Sequence, residues 1–243
     1  METKQSEKDL IASYDAVSCL FKRLGNLKEK DFQSSRSLFQ QSSLETRSPS
    51  PKHLEVVAVV AGLPFTPIFQ EKLISIQHQI QEIIGDTLTY WVQPANLALE
   101  FFVLKWPEED IASDTFEIGK DYLSNFSHSP FPVQFNGFQI NRDGCIVARG
   151  IDPTEIIRSS RRSMQKQEII PQRQSNWAHV PLGRILEPFS YNSYLKLIEI
   201  TQNSQKNTFH TEIIDKINLV HELQWYMENK RIIANIDLPK LNG

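Results

Sequence analysis

The chain has 243 residues, a formal net charge of −3, and an ordinary globular balance of 40% hydrophobic and 23% charged residues. That length suits one generous domain, or a core with an appendage, and lets the chain bury a sizeable core. The slight negative charge excludes bulk attraction to nucleic acid or acidic membranes, so either would need a local patch.

The two cysteines, Cys19 and Cys145, lie far apart with no CxxC spacing. This argues against a metal site or disulfide framework and fits a reducing compartment. The opening METKQSEKDL is polar and mixed in charge, unlike a signal peptide. The longest apolar run, Val56 to Leu63, is far too short to span a bilayer. These features predict a cytoplasmic protein that uses no metal or cofactor and has no membrane partner.

In chain order, Ser6 with Asp9 reads as a capping box, and Leu10, Tyr14, Val17, Phe21 and Leu24 follow at helical spacing up to Gly25. Leu38 and Phe39 suggest a second short turn, and Ser42 to Pro51 (SSLETRSPSP) reads as a linker. Residues 1–50 are thus expected to be a helical arm and linker, and 51–243 the main domain. The apolar stripe of the arm is expected to pack on the body or to engage a protein partner.

From Leu54 strands and helices alternate. LEVVAVVAGL is apolar on both faces, as a central strand should be. Thr66-Pro67 opens a helix with Phe69, Leu73, Ile76, Ile80 and Ile83 as its buried stripe, ended by Gly85. TLTYWVQ and NLALEFFVLKW read as strands, Phe116 to Phe126 as a short helix, and FPVQFNGFQIN with CIVARGI as a hairpin closed at Asp143-Gly144. Asp152, Pro153 and Glu155 open a helix to about Lys166. NWAHVPLGRIL is the next strand and Tyr191 to Ile200 the next helix. EIIDKINLVHELQW and KRIIANIDL close the chain as antiparallel strands. The fold class predicted is α+β, with two related lobes of antiparallel sheet, helices packed outside, and the N-terminal helical arm.

Three stretches, VVAVVAGLP, NLALEFFVLKW and WAHVPLGRI, together with the tail INLVHELQWYMENKRIIANIDL, carry a likeness to a known family. Over roughly residues 54–238 the chain resembles the two-histidine (2H) phosphoesterase superfamily, which includes the 2′-5′ RNA ligase-like and cyclic phosphodiesterase-like proteins. The resemblance implies a cleft in which two His-x-Thr/Ser motifs cleave phosphodiesters or 2′,3′-cyclic phosphates. Residues two apart in a strand share a face, so each motif presents an imidazole beside a hydroxyl. One imidazole then serves as base and the other as acid, while the hydroxyls donate to phosphate oxygens.

Both motifs are altered here. The resemblance puts Ala98 and Glu100 where the first histidine and hydroxyl belong; in the second motif His179 is kept and Pro181 replaces the hydroxyl residue. Alanine transfers no proton, a carboxylate repels phosphate, and proline lacks both hydroxyl and N–H. The function expected is a degenerate 2H phosphoesterase-like module that binds or regulates, its ligand being a nucleotide or RNA end. One alternative is an active phosphodiesterase with His179 and Glu100 as a rearranged catalytic pair; another is a protein-interaction scaffold. His179, Arg184 and Tyr90 are the ligand-binding candidates, Arg184 as an anion contact and Tyr90, with Trp91, Phe101 and Phe102, as a base-stacking surface. Arg158, Arg161, Arg162 and Lys166 form one basic helical face that reads as solvated. His210-Thr211 is discounted because adjacent strand residues face opposite ways, and His53, His78 and His221 lack metal-ligand spacing.

Overall fold

A computed structural model describes residues 2–239 of the chain, with side chains described from residue 7 onward. The N-terminal helix α1 spans Glu2–Arg23. It begins upstream of Ser6, so that residue is not its cap, and the side chain of Ser6 lies outside the described residues. Tyr14 and Phe21 are buried against the body of the same chain. The Tyr14 hydroxyl donates to the Gly150 carbonyl at 3.1 Å, and its ring stacks on Trp177. Two short helices follow, α2 (Gln33–Arg36) and α3 (Gln41–Glu45). The stretch expected as a linker therefore contains helix: Leu44 is buried, and Phe39 bridges to Pro51. Leu27, Phe32, Phe39 and Leu44 join the same hydrophobic cluster as the sheets, because each supplies apolar area that the Ser-rich composition around it obscures.

The first half of the body comprises β1 (Val56–Ala61), α4 (Pro67–Ile84), β2 (Thr89–Trp91), β3 (Leu99–Lys105) and α5 (Thr115–Asn125). The hairpin β4 (Phe131–Ile140) and β5 (Cys145–Ile151) comes next, then α6 (Ile156–Lys166) and β6 (Val180–Ile185). Helix α7 (Tyr191–Ser204) precedes β7 (His210–Ile214), β8 (Lys216–Gln224) and β9 (Asn229–Asp237). These strands make two sheets, one ordered β3-β1-β8-β9 and the other β2-β6-β5-β4-β7, with antiparallel pairing throughout the described ladders. Helix α5 covers the four-stranded sheet, while α1 and α7 lie on the five-stranded one. Gly119 permits the close seating of α5, since a Cβ there would meet a Leu219 methyl at 2.6 Å. Gly144, at φ +84°, supplies the left-handed residue that the β4–β5 turn requires.

Three element boundaries differ from expectation for physical reasons. TLTYWVQ is cut to three paired residues because Pro94 starts a 3-10 turn. The stretch 212–225 is two strands, β7 and β8, which belong to different sheets and are separated by Asp215 alone. The strand expected from Asn176 enters its ladder only at Val180. The Trp177 carbonyl instead accepts Nη1 of Arg161 at 3.0 Å.

The start of α4 is also rewired. The Thr66 hydroxyl caps no helix N–H. It donates to the Glu212 carboxylate at 2.7 Å, as does the Thr66 N–H at 2.8 Å. His210 lies 2.8 Å from the same carboxylate, which gives that histidine a structural position on β7.

Candidate functional site

Strand β1 is buried on both faces, and the alternation of its side chains divides two environments. Val57, Val59 and Ala61 join the main core, while Val56, Ala58 and Val60 face a cavity of about 240 Å³. Ala98, Glu100, His179, Pro181 and Arg184 all line this one cavity. Ala98 stands just before β3 in the four-stranded sheet and His179 just before β6 in the five-stranded sheet, so the two altered motifs meet in one cleft.

The backbone around both motifs is held by Arg161. Sequence reading put this residue on a solvated basic face, but it is only 5% exposed. Its guanidinium donates to the carbonyls of Glu100 and Phe101 on β3 and of Trp177 ahead of β6. Five N–H donors in a rigid fork suit arginine to such multiple acceptance. The helical periodicity of α6 indicated a shared basic face; it gave no sign that one of its members turns inward.

His179 is held neutral. Burial, aided by the charge of Arg161, lowers its pKa to about 4. The Trp177 carbonyl offsets part of this, yet among the described residues no hydrogen bond reaches His179 Nδ1. Glu100 is driven the other way: burial raises its carboxyl, partly opposed by Arg161. Its Oε1 is inaccessible to solvent and has no hydrogen-bond partner among the described residues. Glu100 Oε1 and His179 Nδ1 are therefore not joined to each other.

Arg184 also lines the cavity and already has partners. Nη1 donates to Asp143 Oδ2 at 2.7 Å and to Ser35 Oγ at 2.6 Å, and Nε donates to the Tyr226 hydroxyl. Tyr90 does not line the cavity. It is buried one layer behind, with its ring 5.0 Å from that of Tyr226 and its hydroxyl donating to Glu228. Phe101 and Phe102 are wholly buried in the core.

The cavity also recruits residues that sequence reading passed over. Glu222 on β8 is registered opposite Val56 and is 9% exposed. Burial pushes its carboxyl up to about 7, against the Met227 N–H that donates to it at 2.9 Å, and Glu100 raises it further. Trp106, Trp225 and Met227 supply apolar wall, and Cys145 lines the same cavity with its thiol pushed up to about 11 by burial. The signal for Glu222 was present: it is an acidic residue at the face-sharing spacing from Val220 within an apolar strand.

Chemically, the cleft has one neutral imidazole, two buried carboxyls and an arginine already in an ion pair. Among the described residues, no group of three or more His, Cys, Asp or Glu side chains could hold a metal ion. No described helix is long and apolar enough to cross a membrane.

No family model matches the sequence. No curated protein matches it either. Solved structures do match in fold. TT0787 of Thermus thermophilus aligns with a TM-score of 0.54 and 14% identity, over 77% of this chain and 100% of its own. E. coli LigT complexed with phosphate aligns with a TM-score of 0.51 and 12% identity, over 78% of this chain and 100% of its own. A structure described as a phosphoesterase gives a TM-score of 0.51 and 12% identity, over 76% of this chain and 99% of its own. The chain has the 2H phosphoesterase fold.

Proposed function

We propose that this chain, built on the 2H phosphoesterase fold, is a catalytically degenerate relative that binds a ligand in its cleft without cleaving it. One observation carries the reading: the cleft that gathers both motif positions presents Ala98, Glu100 and Pro181, and keeps only His179. A lone imidazole can accept a proton, but it has no partner to return one to the leaving oxygen. Glu100 adds a second obstacle, because a carboxylate stands where the transition state gathers negative charge. LigT has been solved with phosphate and with 3′-AMP, so a nucleotide or RNA end is the ligand class the fold likeness suggests. The rearranged enzyme is disfavoured because Glu100 Oε1 and His179 Nδ1 have no hydrogen-bond partner among the described residues.

The test is an assay of purified protein against 2′,3′-cyclic nucleotides and 2′-5′-linked RNA. No turnover above background is expected. Robust turnover that His179→Ala abolishes would overturn the reading in favour of a rearranged active site.

A further inference from the structure

Two polar atoms of the cleft are left unfilled: a carboxyl oxygen, and a ring nitrogen that accepts in one of its two neutral tautomers. Glu100 Oε1 and His179 Nδ1 have no partners among the described residues. Glu222 reaches the same cavity from β8, with one oxygen taken by the Met227 N–H. The cations nearby are already engaged. Arg161 gives its hydrogen bonds to backbone carbonyls, and Arg184 is ion-paired to Asp143. The rest of the lining is largely apolar, with Trp106, Trp225 and Met227 facing Val56, Ala58 and Val60. We propose that this cleft binds an organic cation, an ammonium or related N–H-bearing head on an apolar body. The inference rests on the reading of the cleft as a non-cleaving binding site, and it replaces the phosphate-bearing ligand that the fold likeness suggests with a cationic one.

Three physical arguments converge on it. Buried acceptors without donors are costly, and a ligand N–H relieves that cost where a phosphate oxygen cannot. Two carboxyls in a low-dielectric pocket repel an anion and attract a cation far more strongly than they would in water. Trp225 in the lining adds aromatic surface that suits a cation on an apolar body, whereas the Trp106 ring already has Arg173 over it at 4.8 Å.

Ionisation of the two acids gives the proposal a distinctive signature. Glu222 lies on the same sheet as Glu100, across β1 from it, and interacts electrostatically with Glu100 and with Lys230 of β9, while Glu100 interacts with Arg161 of α6. Burial raises both carboxyls above the usual carboxylate range, Glu222 up to about 7. A cation entering between them favours their charged forms, so its binding expels protons; an anion would draw protons in.

The experiment is calorimetric titration of the intact protein with matched fragments: benzylamine against benzyl alcohol, phenethylamine against 2-phenylethanol, and phenyl phosphate as the anion. Near pH 7 the amines should bind at least about tenfold more tightly than their uncharged counterparts. Their heats should vary with buffer ionisation enthalpy in the sense of proton release. Glu100→Gln and Glu222→Gln, nearly equal in size to the native residues, should each diminish the preference, and the pair should abolish it. Tighter binding of phenyl phosphate, equal binding of amine and alcohol, or no amine binding at about 10 mM would each overturn the proposal. Hydrolysis of cyclic nucleotides would instead overturn the non-cleaving reading, whatever the fragments do.

Discussion

Nη2 of Arg161 stands 2.5 Å from the carbonyl oxygen of Glu100, so a helix outside the cleft fixes the backbone of a residue inside it. The same guanidinium reaches Trp177, two residues before His179. One side chain thereby sets the spacing of the two altered motifs and the electrostatics of the imidazole between them.

Replacing Arg161 should therefore register twice. Arg161→Met leaves three carbonyls without their donors and should cost about 3 kcal/mol or more, read from urea unfolding. Arg161→Lys keeps the charge but loses the fork, and should be milder. In any variant that folds without the charge, the imidazole of His179 should titrate above its native value of about 4 in an NMR titration. An unmoved imidazole would show that burial alone sets it.

Glu222 and His179, two of the perturbed cleft groups, should oppose each other in the pH dependence of stability. Glu222 has a folded pKa of about 7 against an ordinary 4.5, so its contribution is present in acid and lost as pH rises through that window. His179 has a folded pKa of about 4 against 6.5, so its contribution is present above 6.5 and lost as pH falls towards 4. Between about 4.5 and 6.5 the two slopes, each about 1.4 kcal/mol per pH unit, should largely cancel. Relative to the native chain, Glu222→Gln should then lose stability on acidification and His179→Asn should gain it. Parallel profiles for all three proteins in denaturant titrations would contradict this.

Restoring the motif positions gives a test by gain of activity. Ala98→His, Glu100→Thr and Pro181→Thr together supply the second imidazole and both hydroxyls. General acid–base catalysis contributes roughly 10²–10⁴ in rate, so weak hydrolysis of 2′,3′-cyclic nucleotides should appear above the native background. Its absence in a folded variant would mean that the cleft has lost more than these three side chains.

Residues 1–50 should behave as core rather than as a removable arm. Their deletion uncovers partners of Tyr14, Phe21, Leu27, Phe32 and Phe39, each 2% exposed or less. A fall in melting temperature, with aggregation, is expected. An unchanged melting temperature would show that the body is stable without them.

Much of the fold was legible because periodicity reports burial directly. The doubly apolar β1 and the stripe of α4 stand where their patterns put them. The resemblance also brought the motif positions to one cavity. What escaped was any property set by partners distant in sequence. Arg161 looked solvated because helical spacing cannot show that carbonyls sixty residues upstream lie above it. Ser42 to Pro51 looked like a linker because its single buried leucine is hidden among serines. Glu222 went unnoticed because its spacing from Val220, though legible, points to no cavity until the facing sheet is in place.

The single-residue joint at Asp215 limits how the cleft can move. A peptide step covers only about 3.8 Å, so β7 and β8, and with them the two sheets, cannot draw apart there. Glu222 lies seven residues further along β8, roughly 23 Å away at strand rise, where a free hinge at the joint would swing the mouth widest. The guanidinium of α6 provides a second fastening across the same gap. Walls pinned at two separated points keep only the rotation about the line that joins them. These two fastenings favour a preorganised cleft, so less of a guest's binding energy goes into closing the lobes.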